Sequence, residues 1–330
     1  PWQVAIGAGF ACGGFCIQFG CDWMAFLYAS IAAILGMRLR QVCNESGLNH
    51  YMGIAISAFV ATIIAWASTL LPAEWTSTPW HPLLACALFI VPGVPLINFV
   101  DDMLDNYIQV GIVRAVNTLL MVAAMAFGIA FAVKLCRIEN FFPTISMVPH
   151  HQYWEYAIAA AISAMGFSMI FNIQRRLLWV VAIGGIIAVC TRNFVNLGPS
   201  TDNIGLDMGL VIGSFSGAVL VSLIAIKAVH WFHVPNHVLT IPSVIPMIPG
   251  VLMYRMLFGI ININVQSIDQ VTPLMKAIES GVNSGLVIMC IALGVAIPNI
   301  FGRRFIASSK NKRLAELLKE RKARGKFVEW

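Results

Sequence analysis

The sequence predicts an all-α polytopic membrane protein with about ten transmembrane helices, arranged as two inverted five-helix repeats in which helices 4 and 9 are broken. Of the 330 residues, 59% are hydrophobic and only 11% are charged, and the mean hydropathy is +0.81. A soluble domain carries about 25% charged residues, so this composition excludes a water-soluble enzyme, a nucleic-acid-binding protein and a disordered chain. A spanning helix needs about 20 apolar residues, which leaves room for about ten spans.

The spans are expected at the apolar runs near residues 3–20, 23–37, 53–71, 82–100, 107–135, 155–172, 177–195, 205–229, 236–261 and 274–301. The first two runs are almost contiguous and predict a tight helical hairpin. The runs divide the chain into a first repeat (1–137), an external linker (138–154), a second repeat (155–301) and a basic tail (302–330).

The basic residues predict the orientation. The tail holds ten of the 21 Lys and Arg and three of the 15 Asp and Glu, a balance of +7. With the N-terminus inside, the inner loops receive Arg38, Arg40, Arg114, Arg175, Arg176 and Lys227, and the outer loops receive Lys134, Arg137, Arg192 and Lys276. The positive-inside rule then places both termini in the cytoplasm. The tail is expected to anchor on anionic lipid headgroups, with a short amphipathic helix over 310–326.

Four ordered matches indicate an internal repeat. Gly14-Phe15 recurs as Gly166-Phe167, an offset of 152 residues. The other matches are Gly53, Ser57, Ala61 and Ala65 with Gly205, Gly209, Gly213 and Gly217; Val91-Pro92-Gly93-Val94 with Ile248-Pro249-Gly250-Val251; and Asn117-Thr118 with Asn283-Ser284. Because each half holds an odd number of spans, the second half is expected to be inverted in the membrane, as in many secondary transporters.

The glycines at 205, 209, 213 and 217 predict one small-residue stripe along a helix. Without side chains, a neighbouring backbone can approach closely and pack by dispersion. The stripe indicates either static helix packing or a smooth surface along which the two halves rock.

Prolines and glycines interrupt the fourth and ninth runs at matching places. The residues are Pro92, Gly93 and Pro95 in the first half, and Pro246, Pro249 and Gly250 in the second. Proline removes a backbone donor and glycine permits the dihedrals of a break, so these segments are either discontinuous helices or kinked ones. Unwound backbone in a membrane is tolerated where it is buried or lines a cavity. Half-helix N-termini there would attract an anion, which makes these six residues candidates for substrate binding.

Charged and polar side chains near the breaks extend this candidate site. Arg255 lies within an apolar run six residues after Pro249, so it is expected to face protein or water and to bind a substrate carboxylate. Its counterpart six residues after Pro92 is Asn98. Asp102 either binds an ammonium group, carries a coupled proton, or caps a solvated helix end. Three more candidates lie inside apolar runs, two as cavity-lining donors and one as a second proton carrier: Asn117, Asn283 and Glu279.

No motif indicates an enzyme, a metal site or a cofactor. His233 lies between two other histidines, but Pro235 interrupts their helical spacing and an interfacial role is expected. The eight cysteines are scattered through apolar runs and follow no zinc spacing. The chain contains no HExxH, no GxSxG and no phosphate-cradling loop. No nucleic-acid motif accompanies the basic tail.

Three stretches resemble the motifs of the bacterial threonine/serine exporter family. They are Val91–Asn98 followed by Asp102 and Gly111–Arg114, then Phe171–Arg176, then Ser243–Gly250. The resemblance implies a ten-helix inner-membrane exporter driven by the proton-motive force. It implies gating or structural roles for the motif residues Arg114, Asn172, Arg175 and Arg176. Members usually carry a cytoplasmic domain before the first span, so this chain, which starts at Pro1, is expected to belong to a longer protein.

The resemblance leaves the substrate open. The family includes a two-subunit branch associated with dicarboxylate (succinate) export, and the motif through Asn98 is at least as close to that branch. A zwitterionic amino acid needs one cation and one anion, for which Arg255 and Asp102 are available. A dicarboxylate needs a second cation, Arg114 or Arg175. The expected function is proton-antiport export of threonine and serine by alternating access, with a dicarboxylate exporter and a passive channel or membrane scaffold as alternatives. The oligomeric state stays open, a homo-oligomer included.

Overall fold

The computed structural model describes residues 1–70, 72, 74–138, 151–199, 204–232, 234–261 and 271–323. These residues form twelve α-helices and four short 3-10 turns, and no strand occurs among them. Most of the predicted linker (139–150), His233 and the last seven residues of the tail (324–330) lie outside the described residues.

The first half contains α1 (Trp2–Gln18), α2 (Trp23–Glu45), α3 (His50–Trp66), α4 (Pro82–Ala85), α5 (Gly93–Leu104) and α6 (Ile108–Leu135). The second half contains α7 (Tyr153–Ile170), α8 (Leu178–Asn196), α9 (Leu210–Phe232), α10 (Asn236–Val244), α11 (Gly250–Ile261) and α12 (Val271–Ala323). The order of long and short helices is the same in the two halves.

Several of these helices are apolar enough to cross a bilayer. Within the described residues, six have the necessary length and hydropathy, or seven if α10 and α11, which meet at a 62° bend, form one broken span. The prediction of an all-α, multi-pass membrane protein is therefore confirmed. The number ten stays a prediction: α1 and α7, with 17 and 18 residues, are not among the six, and the first half reaches its break through the four-residue α4.

The two halves meet along α1 and α7, which cross in antiparallel fashion at very short range. A Cβ added to Gly14 would lie 2.6 Å from the carbonyl oxygen of Ala159, and one added to Gly7 would lie 2.8 Å from that of Gly166. Between these contacts, the Ser163 hydroxyl donates to the carbonyl oxygen of Ala11 at 3.2 Å. Residues 11 and 163 differ by 152, the repeat offset, so equivalent positions of the two halves face each other there.

The remaining helix contacts occur in corresponding pairs. Within each half, the first helix packs on the second (α1 on α2, α7 on α8), the second on the third (α2 on α3, α8 on α9) and the third on the last (α3 on α6, α9 on α12). Between the halves, α5 packs on α12 and α11 packs on α6. The broken segment of each half is thus held against the last helix of the other half.

The prediction of a four-glycine stripe along one helix is wrong. The segment 204–209 is not helical: Gly209 has φ +88°, and the amides of Leu206 and Met208 donate to the carbonyl oxygens of Phe194 and Val195 at the end of α8. Glycine permits this backbone, which a helix cannot include. Two of the four glycines remain on α9, where Gly213 and Gly217 pack against α8.

The end of the chain also differs from the expectation. α12 continues without interruption from Val271 to Ala323, so the basic segment extends the last apolar helix instead of forming a separate helix over 310–326. Between residues 303 and 323 the sequence contains no glycine or proline, the residues that end helices most readily.

Candidate substrate site at the paired helix breaks

The two predicted breaks have the same local geometry. Each begins with a 3-10 turn, Leu88–Ile90 in the first half and Ile245–Met247 in the second. Pro92 then has φ −78° and ψ 65°, and the amide of Gly93 donates to the carbonyl oxygen of Val91 at 2.8 Å, which defines an inverse γ-turn. In the second half, the amide of Gly250 donates to the carbonyl oxygen of Ile248 at 2.9 Å. A new helix starts immediately after each turn, so both segments are discontinuous helices.

Both breaks border one central cavity. Its lining consists of four residue pairs that the repeat relates to each other: Phe15 and Phe167, Leu88 and Ile245, Val91 and Ile248, and Gly93 and Gly250. The rings of Phe15 and Phe167 meet edge to face, with their centroids 5.8 Å apart. The cavity therefore lies where the two halves face each other with equivalent residues.

The glycines at the breaks make room for side chains of the opposite half. A Cβ on Gly93 would lie 2.9 Å from Cδ1 of Ile248, and a Cβ on Gly250 would lie 2.7 Å from Cδ2 of Leu88. The cavity has a volume of about 10 Å³, the space that one water molecule occupies. In this conformation the site is closed.

The polarity of the site comes from its backbone. α5 and α11, twelve residues each, start at the cavity with Gly93 and Gly250. Their first i→i−4 hydrogen bonds run from Leu96 to Pro92 and from Met253 to Pro249. The amides before these positions precede the helical ladder, and the N-terminus of a helix carries about half a positive charge. Two positive helix ends therefore flank one apolar cavity, an arrangement that attracts anions.

The other proline candidates support the breaks without lining the cavity. Pro246 is buried in the 3-10 turn before α11, and Pro249 is half-buried between that turn and the helix. Pro95 is in the first turn of α5, where the missing donor costs no hydrogen bond, and Asn98 follows one turn later, half-buried.

Asp102 and Arg114 form an ion pair that connects α5 to α6. Nη1 of Arg114 lies 2.7 Å from Oδ2 of Asp102, and the side chains are 35% and 23% exposed, respectively. Both were predicted as functional residues in separate roles, and the structure brings them together. Asn117, one turn further along α6, accepts a hydrogen bond from the hydroxyl of Tyr51 on α3 at 2.7 Å.

The remaining candidates are dispersed. Arg255 is half-buried on α11, five residues from the break, whereas Glu279 and Asn283 are exposed on α12. Asn172, in the left-handed conformation with φ 54°, ends α7. Arg175 and Arg176 are exposed just before α8. None of these six residues belongs to the cavity lining described above.

Phe15, Phe167 and the aliphatic side chains that fill the closed site are not among the residues predicted from the sequence. The internal repeat pointed to the two phenylalanines, because Gly14-Phe15 and Gly166-Phe167 are its first match. Among the described residues, no group of three or more His, Cys, Asp and Glu side chains is placed to hold a metal ion.

Comparisons with known proteins assign the chain to a family. The family model "Putative threonine/serine exporter" matches residues 1–136, and the model "Threonine/Serine exporter, ThrE" matches residues 156–301. The chain belongs to the threonine/serine exporter family. It is a multi-pass membrane protein, and the boundary between the two matches coincides with the boundary between the halves.

Two curated relatives match part of this chain. Proteins of Klebsiella aerogenes and of Escherichia coli strain K12, both named "Probable succinate transporter subunit YjjP", are 31% identical to it over 134 residues. That stretch is 41% of this chain and 52% of each relative, so the match spans about half the length of the relatives. No solved structure matches this chain.

Polar contacts stabilise the end of the helix bundle at which α1 turns into α2. The carboxylate of Asp22 caps α2 by accepting from the amide of Ala25 at 2.8 Å, and it accepts from the amide of Ser77 at 2.7 Å. Nδ1 of His151 lies 2.9 Å from a Glu155 oxygen, and its Nε2 lies 2.8 Å from the carbonyl oxygen of Cys21. The start of α7 is thereby joined to the α1–α2 turn.

Burial on its own would raise the pKa of Asp22. The hydrogen bonds from Ala25, Ser77 and Thr76 outweigh that effect and hold its pKa below the ordinary value of 3.8. Because the folded pKa is below the unfolded one, the ionised carboxylate stabilises the fold above about pH 4, and this contribution is lost as the pH falls through the folded pKa.

We therefore expect Asp22→Asn to lower the thermal stability of the purified protein at pH 7, and the difference from wild type to shrink at pH 3. The amide keeps the shape of the side chain but removes its charge and places a donor against the Ser77 amide. Thermal unfolding in detergent at the two pH values measures this. A difference of equal size at both pH values would contradict the assigned role of the charge.

Proposed function

We propose that this protein exports threonine and serine from the bacterial cytoplasm by proton antiport, through alternating access in the inner membrane. The family matches of the two halves support a secondary transporter, and so do the paired helix breaks. The observation that carries the proposal is the convergence of two helix N-termini, at Gly93 and Gly250, on one cavity between the halves. A substrate carboxylate is the group that such a site attracts.

The packing supports inverted repeats. If α1 and α7 both cross the bilayer, their antiparallel contact at Ala11 and Ser163 places equivalent helices in opposite orientations. The pseudo-two-fold axis then passes between equivalent residues, near the middle of the membrane. Both termini are cytoplasmic in this proposal, as the distribution of basic residues predicts.

The closed cavity represents an intermediate of the transport cycle. Sites for small molecules have volumes of about 300–1,000 Å³, whereas this cavity has about 10 Å³. Binding therefore requires the halves to separate at Phe15 and Phe167, on one side of the membrane and then on the other. In the open site, Arg255 binds the substrate carboxylate, and Asn98, Asn117 and Asn283 line the path.

The proton is carried by carboxylates. Asp102 is the first candidate, because its ion pair with Arg114 joins the broken helix α5 to α6 and is weakened when the carboxylate is protonated. Glu279, exposed on α12, is the second. Asn172, Arg175 and Arg176, at the turn between α7 and α8, contribute to gating or to the structure of that turn.

A dicarboxylate exporter is the second candidate function. The specific observation in its favour is the symmetry of the site, since two equivalent positive helix ends suit two carboxylates. Among the residues that the structure describes, the cavity lining includes no acidic side chain to bind an ammonium group. The name of the two curated relatives points in the same direction. That name also includes the word subunit, so assembly with a further chain or a second copy is part of this alternative.

Flux measurements in proteoliposomes distinguish these functions. Vesicles are loaded with labelled threonine or labelled succinate, and efflux is followed with and without a pH gradient. We expect gradient-driven threonine efflux that Arg255→Ala reduces about tenfold or more, as the loss of a charged hydrogen bond implies, and that the exposed control Lys134→Ala leaves unchanged. Gradient-driven efflux of succinate alone would establish the second candidate. Gradient-independent leakage of both compounds would contradict coupled transport.

A further inference from the structure

A second cavity lies on the outside of the helix bundle, between α8 and α9. This α8–α9 groove has a volume of about 190 Å³ and an almost wholly apolar lining. Its walls include Trp179, Ile183 and Ile187 on α8 and Ile224, Ala228 and Trp231 on α9. Both tryptophans are exposed, by 56% and 77%, so the groove is open to the surroundings of the bundle. It is separate from the central cavity.

The groove has the length of one leaflet. Along α8 its lining runs from Trp179 to Ile187, which corresponds to about 12 Å at the helical rise of 1.5 Å per residue. Half of the bilayer hydrocarbon core measures about 15 Å. The two tryptophans lie at the same end, where Trp179 meets Phe232, the last residue of α9, with ring centroids 5.6 Å apart. Tryptophan is enriched at the membrane interface, so the groove runs from the headgroup level toward the membrane centre.

Cationic side chains stand at the headgroup end. Arg175 and Arg176 belong to the 3-10 turn that leads into α8, four positions before the lining residues Trp179 and Val180, and both are exposed. Lys227 is exposed on α9, one turn from Trp231. A long basic side chain at this depth extends toward the interface. An apolar groove with several cations at its outer end complements a lipid with a negative headgroup.

The groove belongs to the second half alone. At the repeat offset of 152, the positions of Arg175 and Arg176 are occupied by Trp23 and Met24. The first half therefore has no cations equivalent to Arg175 and Arg176, whereas the residues that line the central cavity occur in equivalent pairs. The groove does contact the broken segment of its own half, because Ser243 of α10 lines it and approaches Gly184 of α8.

From these observations we infer that the α8–α9 groove binds an anionic phospholipid, with one acyl chain between α8 and α9 and the headgroup at Arg175 and Arg176. A bound chain covers the apolar walls and packs against α10, which leads into the second helix break. The inference requires only that the protein is embedded in a membrane, so it does not depend on the transported substrate.

Native mass spectrometry of the purified full chain tests the site. Phosphatidylglycerol and phosphatidylcholine with identical acyl chains are offered in equal amounts. We expect phosphatidylglycerol to be retained in preference, by at least about fivefold, and this preference to disappear in the double variant Arg175→Gln/Arg176→Gln. Ala228→Phe, which fills the groove, is expected to release both lipids. Two controls should bind as wild type does: Lys134→Gln removes a distant cation, and Leu223→Phe enlarges an exposed side chain on another face of α9.

A fluorescence measurement needs no groove-filling variant. In phosphatidylcholine bilayers, a small fraction of phosphatidylglycerol with brominated chains should quench tryptophan emission more than the same fraction of brominated phosphatidylcholine. The excess should vanish in Trp179→Phe/Trp231→Phe. Equal retention and equal quenching by the two lipids would overturn the inference. So would a dimer that Ala228→Phe dissociates, because the groove would then be covered by a second copy.

Discussion

Replacing Gly250 with valine should reduce threonine efflux from proteoliposomes by about tenfold or more. Its added Cβ would lie 2.7 Å from Leu88 in a cavity of about 10 Å³. In the proposed mechanism every transport cycle passes through the closed arrangement, in which the new methyl groups have no room. Overpacking costs about 1–3 kcal/mol, and each 1.36 kcal/mol in a barrier changes a rate tenfold.

Gly285→Val is the matched control for this experiment. Gly285 is also on a helix of the second half, but no atom lies within 4 Å of the position its Cβ would take. Both variants should be produced and purified in similar amounts. The atoms nearest to an added Cβ at Gly250 belong to side chains and not to the backbone, so the fold can accommodate the change. Equal flux through the two variants would show that the central cavity is not on the transport path.

Replacing Gly166 with leucine should damage the fold itself. An added Cβ would lie 2.5 Å from the carbonyl oxygen of Gly7 and still closer to the amide nitrogen of Ala11, both backbone atoms of α1. No rotamer change relieves such a contact, so α1 and α7 must separate. We expect a larger loss of thermal stability than for Gly250→Val, above the range of about 1–3 kcal/mol typical of overpacking.

Thermal unfolding of the detergent-purified protein measures this loss, with Gly285→Leu as the control of equal side-chain volume. The comparison separates damage at the interface of the halves from the general cost of a leucine in place of a helical glycine. A Gly166→Leu variant as stable as that control would contradict the close antiparallel contact of α1 with α7.

Hydropathy and helix-breaking residues predicted most of the helical framework. The run predicted over 107–135 corresponds to α6 (Ile108–Leu135), and the Pro-Gly pairs at 92–93 and 249–250 lie at the two breaks. These features are local, because about 20 apolar residues or a missing amide act on the segment that contains them. The prediction of a glycine stripe ending at Gly217 was wrong for a local reason as well. The spacing of the glycines does not show that Gly209 has a positive φ.

The composition of the site was harder to predict because it depends on packing between distant segments. Polar residues in apolar runs suggested a wet pocket, yet the closed cavity is lined by Phe15, Phe167, aliphatic side chains and glycines. The ion pair of Asp102 with Arg114 depends on how α5 lies against α6, and the exposure of Asn283 depends on the rotation of α12. Residue type and spacing carry no information on the packing of α5 against α6 or on the rotation of α12.

Cysteine accessibility shows whether the two halves enclose one site and open it alternately to the two sides of the membrane. In a variant without the eight native cysteines, single cysteines are placed at Val91 or Ile248, and variants that still export threonine are labelled with a membrane-impermeant thiol reagent from either side. The account predicts that both positions react from one side, and that both switch to the other side when the threonine gradient is reversed. Reaction from a single side under all conditions, or at only one of the two positions, would contradict it.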